Sequence, residues 1–219
     1  MNELGLAAEP ALATQMGILL PYLIVAGGGL LIMLVDSFAR TPRNGNLYGV
    51  LVVVLVAAAL AQAFPAVPRV SGTVLGGMLA QQPHTTFFNY LFLGIALLTA
   101  TFAARPFGGE GGCRADFYPL LLFSDLGMMV LAAANDLLAL YLGLETMSLA
   151  VYVLVGGRKG SIRSSEAGFK YLLLGGYASA FLLFGMALVF GFAGTTSFTG
   201  IREAMQAPGA ESLLLALGG

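Results

Sequence analysis

The chain is poor in the side chains that hold metals and redox groups: it has one cysteine, Cys113, and one histidine, His84. A lone cysteine excludes an internal disulfide, a cysteine-ligated iron–sulfur cluster and a CxxC redox motif within this sequence. A lone histidine excludes bis-histidine haem and most zinc sites. His84 follows Pro83 in a polar connection and reads as a solvated loop residue. The 30 glycines never spell GxGxxG after a strand or GxxxxGK[ST], so no nucleotide cradle is present. Neither a metal site nor a cofactor-binding residue is expected in this chain.

Charge is equally scarce. Charged residues make up 10% of the chain, against about a quarter in soluble proteins. With a formal net charge of −1 and no basic run, nucleic acid is not an expected partner. The first ten residues, MNELGLAAEP, carry Glu3 and Glu9 and no Lys or Arg. A cleaved signal peptide opens on a basic region, so the first apolar segment reads as a retained helix.

What the chain has in excess is apolar length: 58% hydrophobic residues and a mean hydropathy of +0.88. The lipid bilayer is its expected solvent, and the expected fold is an all-α integral membrane protein, a polytopic transmembrane helix bundle. Six apolar runs have spanning length: Met16–Phe38, Leu47–Phe64, Phe87–Ala104, Phe117–Ala134, Leu137–Val155 and Glu166–Phe192. A seventh helix is expected to begin at Glu211–Ser212. With the N-terminus outside, the inside loops hold Arg40, Arg43, Arg105, Arg114, Arg158, Lys159 and Arg163, and the outside loops only Arg69 and Arg202. That asymmetry predicts an outside N-terminus.

The connections carry their own signals. Asn135–Asp136 separates two apolar runs with no room for a loop, which predicts a tight helical hairpin with one of the two as N-cap. Gly156–Gly157 is expected to end helix five. Ser164 or Ser165 is expected to cap helix six, with Glu166 in its first turn. The segment 65–86 is too polar and too broken by Pro and Gly to span, and reads as an outside excursion, a short hairpin at most. Small residues at Gly27–Gly29, and at Gly175, Gly176, Ala178, Ser179 and Ala180, predict close helix approach.

Three ionisable residues fall inside the spans: Asp125, Glu145 and Lys170. Glu145 lies in LLALYLGLETMSLAVYVLV, a run of roughly 28 Å as a helix. A carboxylate at that depth costs about 3 kcal/mol or more, so it normally faces a protein interior or a wet cavity on an ion or proton path. Folding the chain at 135–136 sets Asp125 opposite position 146, at nearly the depth of Glu145. If the two carboxyls face each other, a low dielectric resists ionising both, as a proton relay requires. Asp125 hydrogen-bonded to Ser124 or a backbone carbonyl is the competing reading. Tyr141 and Ser148 share the Glu145 face at i−4 and i+3 and are its candidate supporting groups. Lys170 stands four residues after Glu166, in the favourable order for a helical ion pair, and also within snorkelling reach of the inner interface. A transport role and these local roles are both open from spacing alone.

FYPLLLFSDLGMMVLAAA at 117–134, NDLLALYLGLETMSLAVYVLVG at 135–156 and SSEAGFKYLLLGGYASAFLLFGMALVFGFAGTTSF at 164–198 resemble the subunit N family of bacterial NADH-quinone oxidoreductase, respiratory complex I. The LGLE-x-MSL and SEA-x-x-KY motifs carry the likeness, while the first three helices resemble the family in layout only. The resemblance implies a fourteen-helix, antiporter-like, proton-translocating subunit with two inverted five-helix repeats, each containing a broken helix. Glu145 matches the family's helix-five glutamate and Lys170 its helix-six lysine. Asp125 stands where a small or hydroxyl residue is expected, and His84–Thr86 where an Asp usually precedes helix three. The implied organisation is three N-terminal helices in 1–105 and, from 116 to 219, the start of the first repeat. The sequence ends at LLLALGG, before the family's helix-seven lysine and second repeat, and so reads as a fragment rather than a natural truncation. The implied partners are other complex I membrane subunits. NADH, FMN, iron–sulfur clusters and quinone would belong to partner subunits, and the location would be the bacterial inner membrane. A subunit of a multisubunit cation/proton antiporter, or a silent structural chain, are the rival readings.

Overall fold

A computed structural model describes residues 12–38, 44–63, 72–104, 116–158 and 160–207. Among these residues the chain forms seven helices and one two-stranded hairpin: α1 (Leu12–Phe38), α2 (Asn44–Ala63), β1 (Gly72–Val74), β2 (Leu79–Gln81), α3 (Pro83–Ala104), α4 (Phe117–Ala133), α5 (Leu137–Gly156), α6 (Ile162–Ala193) and α7 (Phe198–Gln206). Five of them, α1, α2, α3, α5 and α6, are long and apolar enough to cross a bilayer. The apolar α4 is shorter, at 17 residues, about 25 Å of helix.

The short helix is the central one. α4 packs against α1, α3 and α5, and Tyr118, Leu122, Asp125 and Met129 on it are all at most 1% exposed. These four recur at i, i+4, i+7 and i+11, one stripe of a 3.6-residue helix. Tyr118 meets the ring of Tyr48 on α2, with centroids 6.4 Å apart, so the stripe looks toward the first three helices. On the neighbouring side Gly29 of α1 lies under Phe123, where a Cβ would come within 3.1 Å of the ring.

The antiparallel hairpin pairs Gly72 with Gln81, Thr73 with Ala80 and Val74 with Leu79, and buries Val74. Its turn needs left-handed backbone at Gly76 (φ +64°) and Gly77 (φ +91°), which glycine adopts without a Cβ clash. The turn rests on the α4–α5 connection: Asn135 donates from its backbone nitrogen to the Met78 carbonyl at 2.9 Å and from Nδ2 to the Gly77 carbonyl at 3.0 Å. The segment after α6 meets the same connection from another side. Leu137 N–H donates to the Thr196 carbonyl at 3.0 Å and Thr196 Oγ1 to Asp136 Oδ2 at 2.6 Å. Three connections are thus joined at residues 134–136.

Several expected boundaries move. Helix three begins at Pro83, a residue suited to the first helical position because its missing N–H has no partner there. His84 is therefore an exposed residue of the first helical turn, not of a loop. Asp136 is the N-cap of α5, accepting from Leu138 N–H at 2.7 Å. Helix six is capped by Ser161, whose side chain accepts from the Ser164 N–H at 3.3 Å, so neither Ser164 nor Ser165 is the cap and Glu166 lies beyond the first turn. The Ser164 hydroxyl is occupied instead by the Val155 carbonyl near the end of α5, at 2.8 Å. Gly156 ends α5 as expected. The amphipathic α7 carries no apolar run that would announce it, and the helix expected from Glu211 lies outside the described residues, as do Cys113 and most of the loop arginines.

Candidate functional site

Two glycines set how α5 meets α4. A Cβ at Gly127 would lie 2.4 Å from the Met147 nitrogen and 2.7 Å from the Gly143 oxygen, and one at Gly143 would lie 2.8 Å from the Leu131 nitrogen. The two backbones are therefore in contact at the level of residues 143–147, the level of Glu145. Successive residues turn by about 100° on a helix. Glu145, two residues from both Gly143 and Met147, thus points away from α4.

It points at α6. Ser179 Oγ donates to Glu145 Oε1, with Ser179 buried and Glu145 half-buried. Small residues on α6 permit the approach. Gly168 lies against Gly156, where a Cβ would come within 2.7 Å of its Cα, and Gly175 lies under the Tyr152 ring and hydroxyl. Tyr152 in turn meets the edge of Tyr171, with centroids 4.8 Å apart. Of the small residues expected to make a close surface, Gly175 and Ser179 face α5, whereas Gly176, Ala178 and Ala180 are exposed. In α1, Gly28 meets Val54 and Gly29 meets Phe123, while Gly27 is open.

Tyr141 and Ser148 share the α6-facing side of α5 with Glu145 and Tyr152, but neither has a hydrogen bond to Glu145. The hydroxyl that reaches the carboxylate comes from across the helix interface. Sequence reasoning placed Ser179 among packing residues only. Its signal was a hydroxyl within a small-xxx-small face, at a register that only helix packing could match to position 145.

Asp125 shares the depth of Glu145 but not its direction. It lies about 200° around α4 from Gly127, among Tyr118, Leu122 and Met129, and is 0% exposed. Among the described residues neither of its carboxyl oxygens has a hydrogen-bond partner, so the Ser124 bond weighed from the sequence is not formed. The body of α4 separates the two carboxyls, which do not face each other.

Lys170 pairs with Glu166, and both side chains are more than half exposed. It precedes Ser179 by nine residues, about 13.5 Å and half a turn around α6. Lys170 and Glu145 are not brought together by the described residues. No cluster of three or more His, Cys, Asp or Glu occurs among the described residues.

A family model described as the NADH:quinone oxidoreductase/Mrp antiporter membrane family matches residues 134–218. A chain of respiratory complex I from Thermus thermophilus superposes with a TM-score of 0.64 at 29% identity, covering 81% of this chain and 38% of that one. A chain of an archaeal membrane-bound sulfane sulfur reductase shares the fold, with a TM-score of 0.69 at 20% identity. The family match and the fold make the chain a homologue of the antiporter-like membrane subunits.

Within that class, subunit N of NADH-quinone oxidoreductase matches over most of this chain. The chain is 39% identical over 204 residues to NADH-quinone oxidoreductase subunit N of Rhodospirillum rubrum, covering 93% of this chain and 42% of the relative. It is 42% identical over 160 residues to subunit N of Moorella thermoacetica. The chain is a homologue of NADH-quinone oxidoreductase subunit N and spans about two fifths of the length of such relatives.

Proposed function

We propose that the chain is a segment of a proton-translocating membrane subunit of an NADH-quinone oxidoreductase, with Glu145 as its intramembrane relay carboxylate. The observation that carries this reading is the Ser179 hydroxyl bound to Glu145 across the α5–α6 interface, inside the region matched by the family model. A carboxylate at mid-span that accepts from a hydroxyl on the next helix can take up a proton on one side and release it on another. Tyr141 and Ser148 line the same face and would hold water beside it. Lys170, on the far side of α6, would act toward segments beyond this sequence. Asp125 would be a second proton-exchanging carboxyl, separate from the first.

In this reading α4 also crosses the bilayer, making six spans, because it runs antiparallel to α5 along its length. The N-terminus and the hairpin lie outside, and the partners are other membrane subunits of the complex in a bacterial inner membrane. The redox chemistry belongs to partner subunits.

The test is Glu145→Gln in the full-length protein within its complex. Proton pumping and coupled turnover are expected to fall by about tenfold or more while the complex still assembles. Unchanged pumping would remove Glu145 from the path. The antiporter reading is favoured instead if transport by the native protein depends on sodium and no quinone-reductase subunits purify with it.

A further inference from the structure

The hairpin end of the bundle carries a second polar cluster, remote from the Glu145–Ser179 pair. A cavity of about 20 Å³ lies between α1, α2, α3 and β2, lined among others by Gly17, Pro21, Tyr22, Gln62, Gln81 and Asn89. Asn89 is 0% exposed. Its Nδ2 donates to the Tyr22 hydroxyl oxygen at 3.1 Å, and its Oδ1 is buried without a hydrogen-bond partner among the described residues. Gln62 repeats the pattern: Nε2 donates to the Thr86 carbonyl at 3.0 Å, and Oε1 is buried without a partner among the described residues. Rotating the Asn89 amide exchanges the orphaned atom for its nitrogen but leaves one orphan in place.

Buried polar groups in folded proteins are paired with protein or with ordered water. Here the two orphans belong to α2 and α3, on residues that line one small space together with Tyr22 of α1. We infer that this cavity is a binding site for a single buried water that cross-links α1, α2 and α3 at the hairpin end. The size fits, since one water needs a cavity of about 10–15 Å³ or more. The chemistry fits as well. A water donates to Asn89 Oδ1 and Gln62 Oε1 and accepts from the Tyr22 O–H, whose oxygen is already engaged by Asn89. A metal cation is the poorer occupant, because no carboxylate among the described residues lines the cavity and a buried charge needs a counter-charge.

The deciding experiment is a cryo-EM map of the full-length native protein, with its co-purifying subunits, at a resolution that shows ordered water. It would be recorded in sodium buffer and again with sodium and potassium replaced by choline. A single peak about 2.7–3.2 Å from both Asn89 and Gln62 oxygens, unchanged by the replacement, is the expected result. A peak lost without the alkali cations would make the site a cation site and overturn the inference. So would amides turned onto protein partners with no peak between them. In the double variant Asn89→Leu with Gln62→Met the peak is expected to vanish, and its persistence would show that other groups hold it. If that variant does not fold, the native maps decide alone.

Discussion

At the scale of single residues, the chemistry of this chain depends on which carboxyl meets which hydroxyl. Glu145 has a hydroxyl partner on another helix, and Asp125 has no hydrogen-bond partner among the described residues. A hydrogen bond to a charged group contributes about 1.5–3 kcal/mol. Ser179→Ala is therefore expected to slow coupled turnover by about tenfold or more while leaving assembly intact, since alanine fits wherever serine did. Normal turnover in that variant would mean that the hydroxyl is only packing. Because Asp125 and Glu145 point to opposite sides of the α4–α5 contact, Asp125→Asn and Glu145→Gln should act independently. A double-mutant cycle on turnover is expected to show a coupling below about 0.5 kcal/mol, and a coupling well above that would show the two carboxyls working as a pair. Lys170→Gln removes an ion pair that is largely exposed. Screening by solvent makes such pairs weak, so thermal stability should stay within about 0.5 kcal/mol of the parent.

At the scale of elements, two contacts organise the bundle. The α4–α5 crossing relies on Gly127 and Gly143, where any side chain would strike backbone atoms of the facing helix. A backbone cannot swing away as a flexible side chain can, so Gly127→Val is expected to destabilise by about 1–3 kcal/mol or to prevent assembly. Gly176→Val, at a position with nothing within 4 Å, serves as the matched control in a thermal melt. The second contact is the connection at 134–136. Asp136→Ala loses both the cap of α5 and the Thr196 bond, and loss of such a cap alone costs about 0.5–2 kcal/mol. Asp136→Asn, which can still accept from Leu138 N–H, should recover most of the stability.

At the scale of the whole molecule, the outer face of α6 is strongly apolar and open, with Leu174, Tyr177 and Phe181 each about 70% exposed. That is the surface of a chain whose surroundings are lipid or other protein, not water. Orientation is measurable through Cys113. If the N-terminus is outside, a membrane-impermeant maleimide is expected to label Cys113 only in inverted vesicles, with any other cysteines of the full-length protein replaced. Labelling in right-side-out cells would invert the topology.

Much of this was legible in the sequence, because in a bilayer each span must satisfy its own backbone and clothe itself in apolar side chains. The helices therefore appear as apolar runs, displaced by only a few residues at their ends. The 158–166 stretch shows the limit of that reading. It holds Ser161, Ser164 and Ser165, any of which suits an N-cap, and the choice fell to Ser161 because the Ser164 hydroxyl is taken by the Val155 carbonyl of the preceding helix. α7 was missed because amphipathic character, not apolar length, defines it.

The sequence by itself determined the membrane-spanning class, the six apolar helices, the common level of Glu145 and Asp125 along α4 and α5, and the family likeness, since each follows from residues near one another in the chain. Only the tertiary structure decided that Glu145 bonds to Ser179, that Asp125 turns to the opposite side of α4, and that Lys170 lies half a turn away from the Glu145 partner. Those outcomes depend on how helices rotate against one another. That rotation is set by where backbones can touch, at Gly127, Gly143, Gly168 and Gly175, and a glycine in a sequence does not name the helix it will meet.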